Sequence, residues 1–270
     1  MTKRVLATTD ISQQSRGVLL AARAHADAVG ATFAICHVLP DLHGGSALFP
    51  HLNQAAALDS TEVERGARDA VQAFVEESLP GATPEIFIEQ GAPASEIIRR
   101  AEAWRADLIV TGSQAHGLER ALLGSVAARI VRYAHCPVLV LRPASGPGGV
   151  LAATDFSDPS LPALAAAAEE AHRRSAPLTV VHVSDMSWGM IGNAAGAPFG
   201  FTAPLPSAEA MAQRRSLELS TLHNALERVG ATGEALALEG PVADCIVRAA
   251  RERDVALVVV GTRGKTGLSR

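Results

Sequence analysis

Cysteine is scarce in this chain: Cys36, Cys136 and Cys245 are the only three in 270 residues, an odd number without close spacing. A disulfide framework is therefore not expected, and buried thiols in a reducing compartment are the natural reading. Charge of one sign is also lacking. The net charge of −4 argues against a dedicated nucleic-acid binder. No apolar run approaches the roughly 18 residues of a membrane span. The start, Met1-Thr2-Lys3-Arg4-Val5-Leu6-Ala7, has charge but lacks the apolar core of a secretory signal. A soluble cytoplasmic protein, with neither membrane nor nucleic acid as partner, is the expectation. Hydrophobic content of 48% against 19% charged describes a globular chain with ample core.

What the chain does have is an internal repeat. Val5-Leu6-Ala7-Thr8-Thr9-Asp10-Ile11-Ser12-Gln13-Gln14-Ser15 recurs as Val150-Leu151-Ala152-Ala153-Thr154-Asp155-Phe156-Ser157-Asp158-Pro159-Ser160, with seven of eleven positions identical at an offset of 145. A repeat of that length is a whole domain, not a solenoid unit of roughly 20 to 50 residues. Two domains are therefore expected, residues 1–143 and 150–270, joined by a glycine- and proline-rich linker at 144–149.

In the first half, apolar β-branched runs are expected as strands at 4–9, 32–38, 85–89, 108–112 and 137–141. Helical spacing predicts helices over 12–29, 61–78, 95–104 and 124–133, with Ser12 or Ser15 as first N-cap and Gly30 as its stop. The second half repeats the order: strands at 149–154, 178–183, 234–239 and 255–261, and helices at 160–174, 207–229 and 243–253. Strands alternating with helices make βαβ units, hence parallel sheets covered by helices on both faces, an α/β class. Two long connections, 41–60 and 184–207, follow the second strand of each half and are candidates for lids, partner contacts or variable loops.

In an open parallel sheet, ligands bind beyond the carboxyl ends of the strands, at the switch in strand order. Thr9-Asp10 and Thr154-Asp155 close the first strand of each half, His37-Val38 and His182-Val183 the second, Gly112-Ser113 and Gly261-Thr262 the fourth. The aspartates either accept hydrogen bonds from a ribose or cap the following helix. The histidines read as strand residues with a satisfied ring, since no cysteine or carboxylate stands at metal-ligand spacing. Gly112-Ser113-Gln114-Ala115 leads through eight residues to Gly124-Ser125 at a helix start, a pattern suited to phosphate. Gly261-Thr262-Arg263-Gly264-Lys265-Thr266 carries the Gly-Lys-Thr of a Walker loop, but Val259 stands where that loop needs glycine, so the Walker reading fails.

The combination of Asp after the first strand, His-Val after the second, Gly-x-x-Gly, and Gly-Ser before Cys136-Pro137-Val138-Leu139-Val140 resembles the universal stress protein family, twice over and along nearly the whole chain. The resemblance implies open, twisted, Rossmann-like sheets of the HUP type with strand order 3-2-1-4-5. It also implies an ATP or ADP site in some members, with or without Mg2+, and pairing of domains through their fifth strands, within the chain or as a homodimer. Carried over by position, adenosine would meet Thr9, Asp10 and Val38, or Thr154, Asp155 and Val183. Phosphates would meet Gly112, Ala115, Gly124 and Ser125, or Gly261 and Gly264.

Both halves depart from the ATP-binding pattern. Ala115 replaces the second glycine, and eight residues stand before Gly124 where the family has nine. In the second half the glycines fit, but the counterpart of Ala121–Arg142, with the last helix and strand, does not follow Arg270. A longer natural gene product is the expectation from that comparison. A nucleotide-binding stress-response regulator without fast catalysis is the leading functional expectation. The alternative is an interaction module that keeps the fold and acts through partner proteins. An adenylate-forming or pyrophosphatase enzyme would need a Ser-Gly-Gly-type loop where Asp10-Ile11-Ser12 stands, and no Ser-His-Asp set, Gly-x-Ser-x-Gly elbow or carboxylate pair appears. Catalysis beyond slow ATP hydrolysis is not expected.

Overall fold

A computed structural model describes residues 3–40, 60–113, 123–142, 148–184 and 207–262. Ala115, Gly264 and the stretches 41–59 and 185–206 lie outside the described residues. The chain divides into two compact units, Met1–Pro143 and Ala144–Arg270.

The first unit runs β1 (Arg4–Thr9), α1 (Gln13–Val29), β2 (Thr32–Leu39), α2 (Ser60–Ser78), β3 (Glu85–Gln90), α3 (Pro93–Trp104), β4 (Leu108–Gly112), α4 (Ser125–Tyr133) and β5 (Val138–Leu141). Its five strands are parallel in the order β3-β2-β1-β4-β5. The second unit runs β6 (Gly149–Ala153), a 3₁₀ turn at Asp158–Ser160, α5 (Leu161–Arg174), β7 (Leu178–Ser184), α6 (Ala208–Arg228), β8 (Glu234–Glu239), α7 (Val242–Glu252) and β9 (Val255–Val260). Its parallel sheet is ordered β8-β7-β6-β9 among the described residues. These are the Rossmann-like α/β sheets expected, and the second sheet shows four strands where the first has five.

The period of two along β1 sorts its side chains onto both faces. Val5 and Ala7 join Val18, Leu19, Phe33 and Val71 under α1 and α2. Leu6 faces the other way, with Ala34, Ile97, Ile109 and Ile130 under α3 and α4. In the second unit Val150 and Ala152 pack on Leu164, Val180 and Leu222. Its opposite face is thinner among the described residues, where Leu151, Val181 and Ala249 form the buried cluster.

Helix α1 begins at Ser12, whose hydroxyl accepts the Ser15 N–H, and ends at Gly30 in the left-handed conformation (φ 64°), so Ser12 and not Ser15 is the cap. Gly91 (φ 139°) and Gly240 (φ 132°) occupy backbone that side chains avoid. Their N–H groups donate to Leu39 O at 3.0 Å and Ser184 O at 3.1 Å, turning the chain from β3 and β8 into the next helix.

Candidate functional site

The strand order reverses beside β1 and β6, and the repeated residues gather there. Thr9 pairs with His37 across the β1–β2 register. Thr8 Oγ1 donates to Thr111 Oγ1 at 2.9 Å, tying the ends of β1 and β4 together. Asp10, Val38 and Gly112 therefore follow directly at the carboxyl ends of three adjacent strands. In the second unit Ala153 pairs with both Val181 and Val260, which sets Thr154-Asp155, Val183 and Gly261 at the equivalent ends of β6, β7 and β9.

After each first strand comes the same strained turn. Ile11 (φ 62°) and Phe156 (φ 63°) sit in the left-handed region, unusual for bulky side chains. That conformation costs about 1–2 kcal/mol for an L-residue. Several hydrogen bonds hold it. Thr9 Oγ1 accepts the Ile11 N–H at 3.0 Å, and Thr154 Oγ1 accepts the Phe156 N–H at 3.1 Å. Asp10 Oδ1 accepts the Ser12 N–H at 3.0 Å and its hydroxyl at 2.5 Å. Asp155 Oδ1 does the same with Ser157 at 3.0 and 2.5 Å. Thr9 Oγ1 meets Ser15 Oγ at 2.9 Å, and Thr154 Oγ1 meets Ser160 Oγ at 2.8 Å, inside the fold. At about 0.5–1.5 kcal/mol each, these bonds together outweigh the strain.

The geometry refines the capping reading of the aspartates. Ser12 caps α1, and Asp10 holds Ser12 through an Asx-type turn. Asp10 is exposed and Asp155 half-buried at the carboxyl ends of their sheets. The rings of His37 and His182 place Nδ1 2.8 Å from Thr9 O and Thr154 O. Among the described residues no group of His, Cys, Asp and Glu could hold a metal ion.

Of the residues expected to meet phosphates, Gly112, Gly124, Ser125 and Gly261 are described. Ser113, buried, receives the Gly124 N–H on its carbonyl at 2.8 Å, while its own N–H donates to Leu141 O at 3.1 Å. The Gly124 amide is thus occupied, and its φ of −58° is one any residue adopts. Ser125, exposed, opens α4 behind it, where the first-turn amides have no partner within the helix. A side chain at Gly112 would meet only Val18 at an ordinary 3.5 Å. Gly261 is exposed at the end of β9. From sequence, Ser12 and Ser15 stood only as alternative caps of α1, and Ser157 and Ser160 had no role. Their signal was present, since both serine positions are identical in the two copies.

The model of the universal stress protein family matches residues 1–142 and again 149–270, and the chain belongs to that family as a tandem member. A universal stress protein of Thermus aquaticus is 31% identical over 146 residues, which is 53% of this chain and all of that protein. One from Methanocaldococcus jannaschii is 57% identical over 54 residues, 20% of this chain and 32% of that protein. The chain thus spans about a third of that relative's length. Among solved structures, a universal stress protein from Archaeoglobus fulgidus superposes with a TM-score of 0.62 at 19% identity, covering 94% of this chain and 83% of that one, a likeness of fold.

Proposed function

We propose that this chain is a nucleotide-binding stress-response regulator that takes ATP or ADP, with or without Mg2+, and performs no fast catalysis of its own. The observation that carries the reading is the Thr-Asp turn. Both units keep the same residues and the same hydrogen bonds at the carboxyl ends of the strands, beside the switch in strand order. A carboxylate held there suits the paired hydroxyls of a ribose. The backbone of Val38 or Val183 at the neighbouring strand end would meet the adenine edge. Gly112 and Ser125 in the first unit, and Gly261 in the second, would face the phosphates, with Ala115 and Gly264 completing the set.

Calorimetry with ATP, ADP and AMP, together with mass spectrometry of nucleotide retained on purification, tests the reading. Asp10→Ala combined with Asp155→Ala should abolish binding while leaving the far-UV circular dichroism unchanged. No heat with any of the three nucleotides, and none retained, would sink it.

The second reading is an interaction module with the fold kept and the pocket lost. Ala115 and the eight-residue spacing to Gly124 favour it for the first unit. Restoring glycine at 115 and inserting one residue before Gly124 separates the two. A gain of nucleotide binding in the first unit would show that the loop alone had disabled it.

A further inference from the structure

His37 and His182 stand outside the set of residues carried over to the nucleotide, yet each makes the same contact. A carbonyl oxygen has no proton, so the 2.8 Å contacts to Thr9 O and Thr154 O require Nδ1–H as donor in both rings. Each bond crosses from the end of one strand to the last carbonyl before the aspartate of its neighbour. The residue next to each histidine is Val38 or Val183. One side chain thus spans the aspartate-bearing turn and the strand end assigned to adenine. In the second unit the ring also stacks on the left-handed residue itself, with the Phe156 and His182 centroids 4.0 Å apart and tilted by 30°.

We propose that His37 and His182 are positioning residues of the two candidate nucleotide pockets. Each ring, fixed in the Nδ1–H tautomer, clamps the strained turn Thr9–Ser12 or Thr154–Ser157 to the neighbouring strand, so that the carboxylate and the adenine-facing backbone keep one separation. The argument rests on the nucleotide reading for its purpose and on the two hydrogen bonds for its mechanism. Strain of this kind persists only where the surroundings over-determine it. The threonine and aspartate bonds fix the turn from within, and the histidine bond ties it to the rest of the sheet. Two copies with different left-handed residues, Ile11 and Phe156, keep the same clamp.

The test compares His→Phe, which keeps a ring and removes the donor, with His→Asn, whose amide N–H can reach the place of Nδ1. Each is made in one unit at a time, so that the unsubstituted unit reports on folding; His→Leu, which also lacks a donor, replaces His→Phe if the latter does not fold. Two-bond 1H–15N spectra of the parent should show the Nδ1–H tautomer for both histidines. Amide exchange at Ser12 or Ser157, relative to Leu6 or Leu151 in the same unit, should rise at least about tenfold in the Phe variant and return in the Asn variant. Nucleotide affinity of that unit should fall at least about tenfold with Phe and recover with Asn. An Nε2–H tautomer, unchanged exchange at the serine amides, or a Phe variant that binds nucleotide as tightly as the parent would overturn the proposal. A parent that binds no nucleotide removes the reading of the preceding subsection instead, and the exchange comparison still decides the clamp.

Discussion

Glu89 carries a carboxylate into the first unit at 7% exposure, and the guanidiniums of Arg99 and Arg100 both close on it. Arg100 also lies over the Phe87 ring at 4.5 Å. Hydrogen bonds to a charged group are worth about 1.5–3 kcal/mol, and removing one partner strands the other charges. Since both arginines keep some contact with water, Glu89→Gln should destabilise the first unit by about 2 kcal/mol in urea denaturation; a loss under about 0.5 kcal/mol would show the cluster to be ornamental. The Cys36 thiol nearby is pushed up to about 12, by burial first and by the Glu89 charge second, and burial lifts Cys136 to about 11. Little thiolate exists at neutral pH, so both should label slowly with a disulfide reagent in the native protein and rapidly in denaturant. Fast labelling of Cys36 in the native state would contradict that burial. In the second unit, hydrogen bonds from Arg253 hold the Glu234 carboxyl below its ordinary range. Its contribution is therefore present above the usual carboxylate range and is lost as pH falls through the lower folded-state value. Glu234→Gln should flatten the acid limb of the stability profile slightly, because the pair faces solvent.

At the scale of elements, the alternation of strands and helices was legible because each strand is a short apolar run and each helix has a polar face. The observed bounds fall within two residues of the expected ones. The helix expected from residue 160 begins at Leu161, because Asp158–Ser160 first form a 3₁₀ turn. The turns after β1 and β6 were not legible. Propensity gives no reason to place isoleucine or phenylalanine at positive φ, and the bonds that hold them there include a pair of hydroxyls six residues apart in each copy. The histidine contacts were hidden for a different reason. Their partner lies 28 residues off in sequence and becomes a neighbour only through the sheet register. The turns after β3 and β8 offer a test at this scale. Alanine at Gly240 would be forced to φ 132° with its Cβ 3.2 Å from Cys245 Sγ, and alanine at Gly91 would meet Glu96 at 3.3 Å. Each should cost roughly 1–3 kcal/mol, read as a lower midpoint of the unit concerned. Equal midpoints would mean that these turns relax freely.

At the scale of the whole molecule the two copies differ in how their fourth strand is covered. Ile109 and Thr111 on β4 are 0% and 4% exposed, between β1, β5 and α4. The corresponding Val258 and Val260 on β9 are 42% and 53% exposed, and β9 pairs on one side only among the described residues. An apolar strand edge without charge invites association. Val258→Lys should therefore reduce concentration-dependent association of the 270-residue chain in sedimentation velocity. Identical sedimentation of parent and variant would show that the edge plays no part. No helix of the described residues is long and apolar enough to cross a membrane. The bond from Gly124 N–H to Ser113 O has a consequence at this scale too. It pins both ends of the stretch between them, ten residues by count (124 − 113 − 1). Lengthening a pinned segment by one residue costs only about 0.1 kcal/mol of closure entropy. Spacing in that segment is thus nearly invisible to folding selection, while under the proposed nucleotide reading it would set where the ligand's donors stand. On that reading it is a place where a lineage, or an engineer inserting a reporter peptide, can retune affinity without first acquiring spare stability.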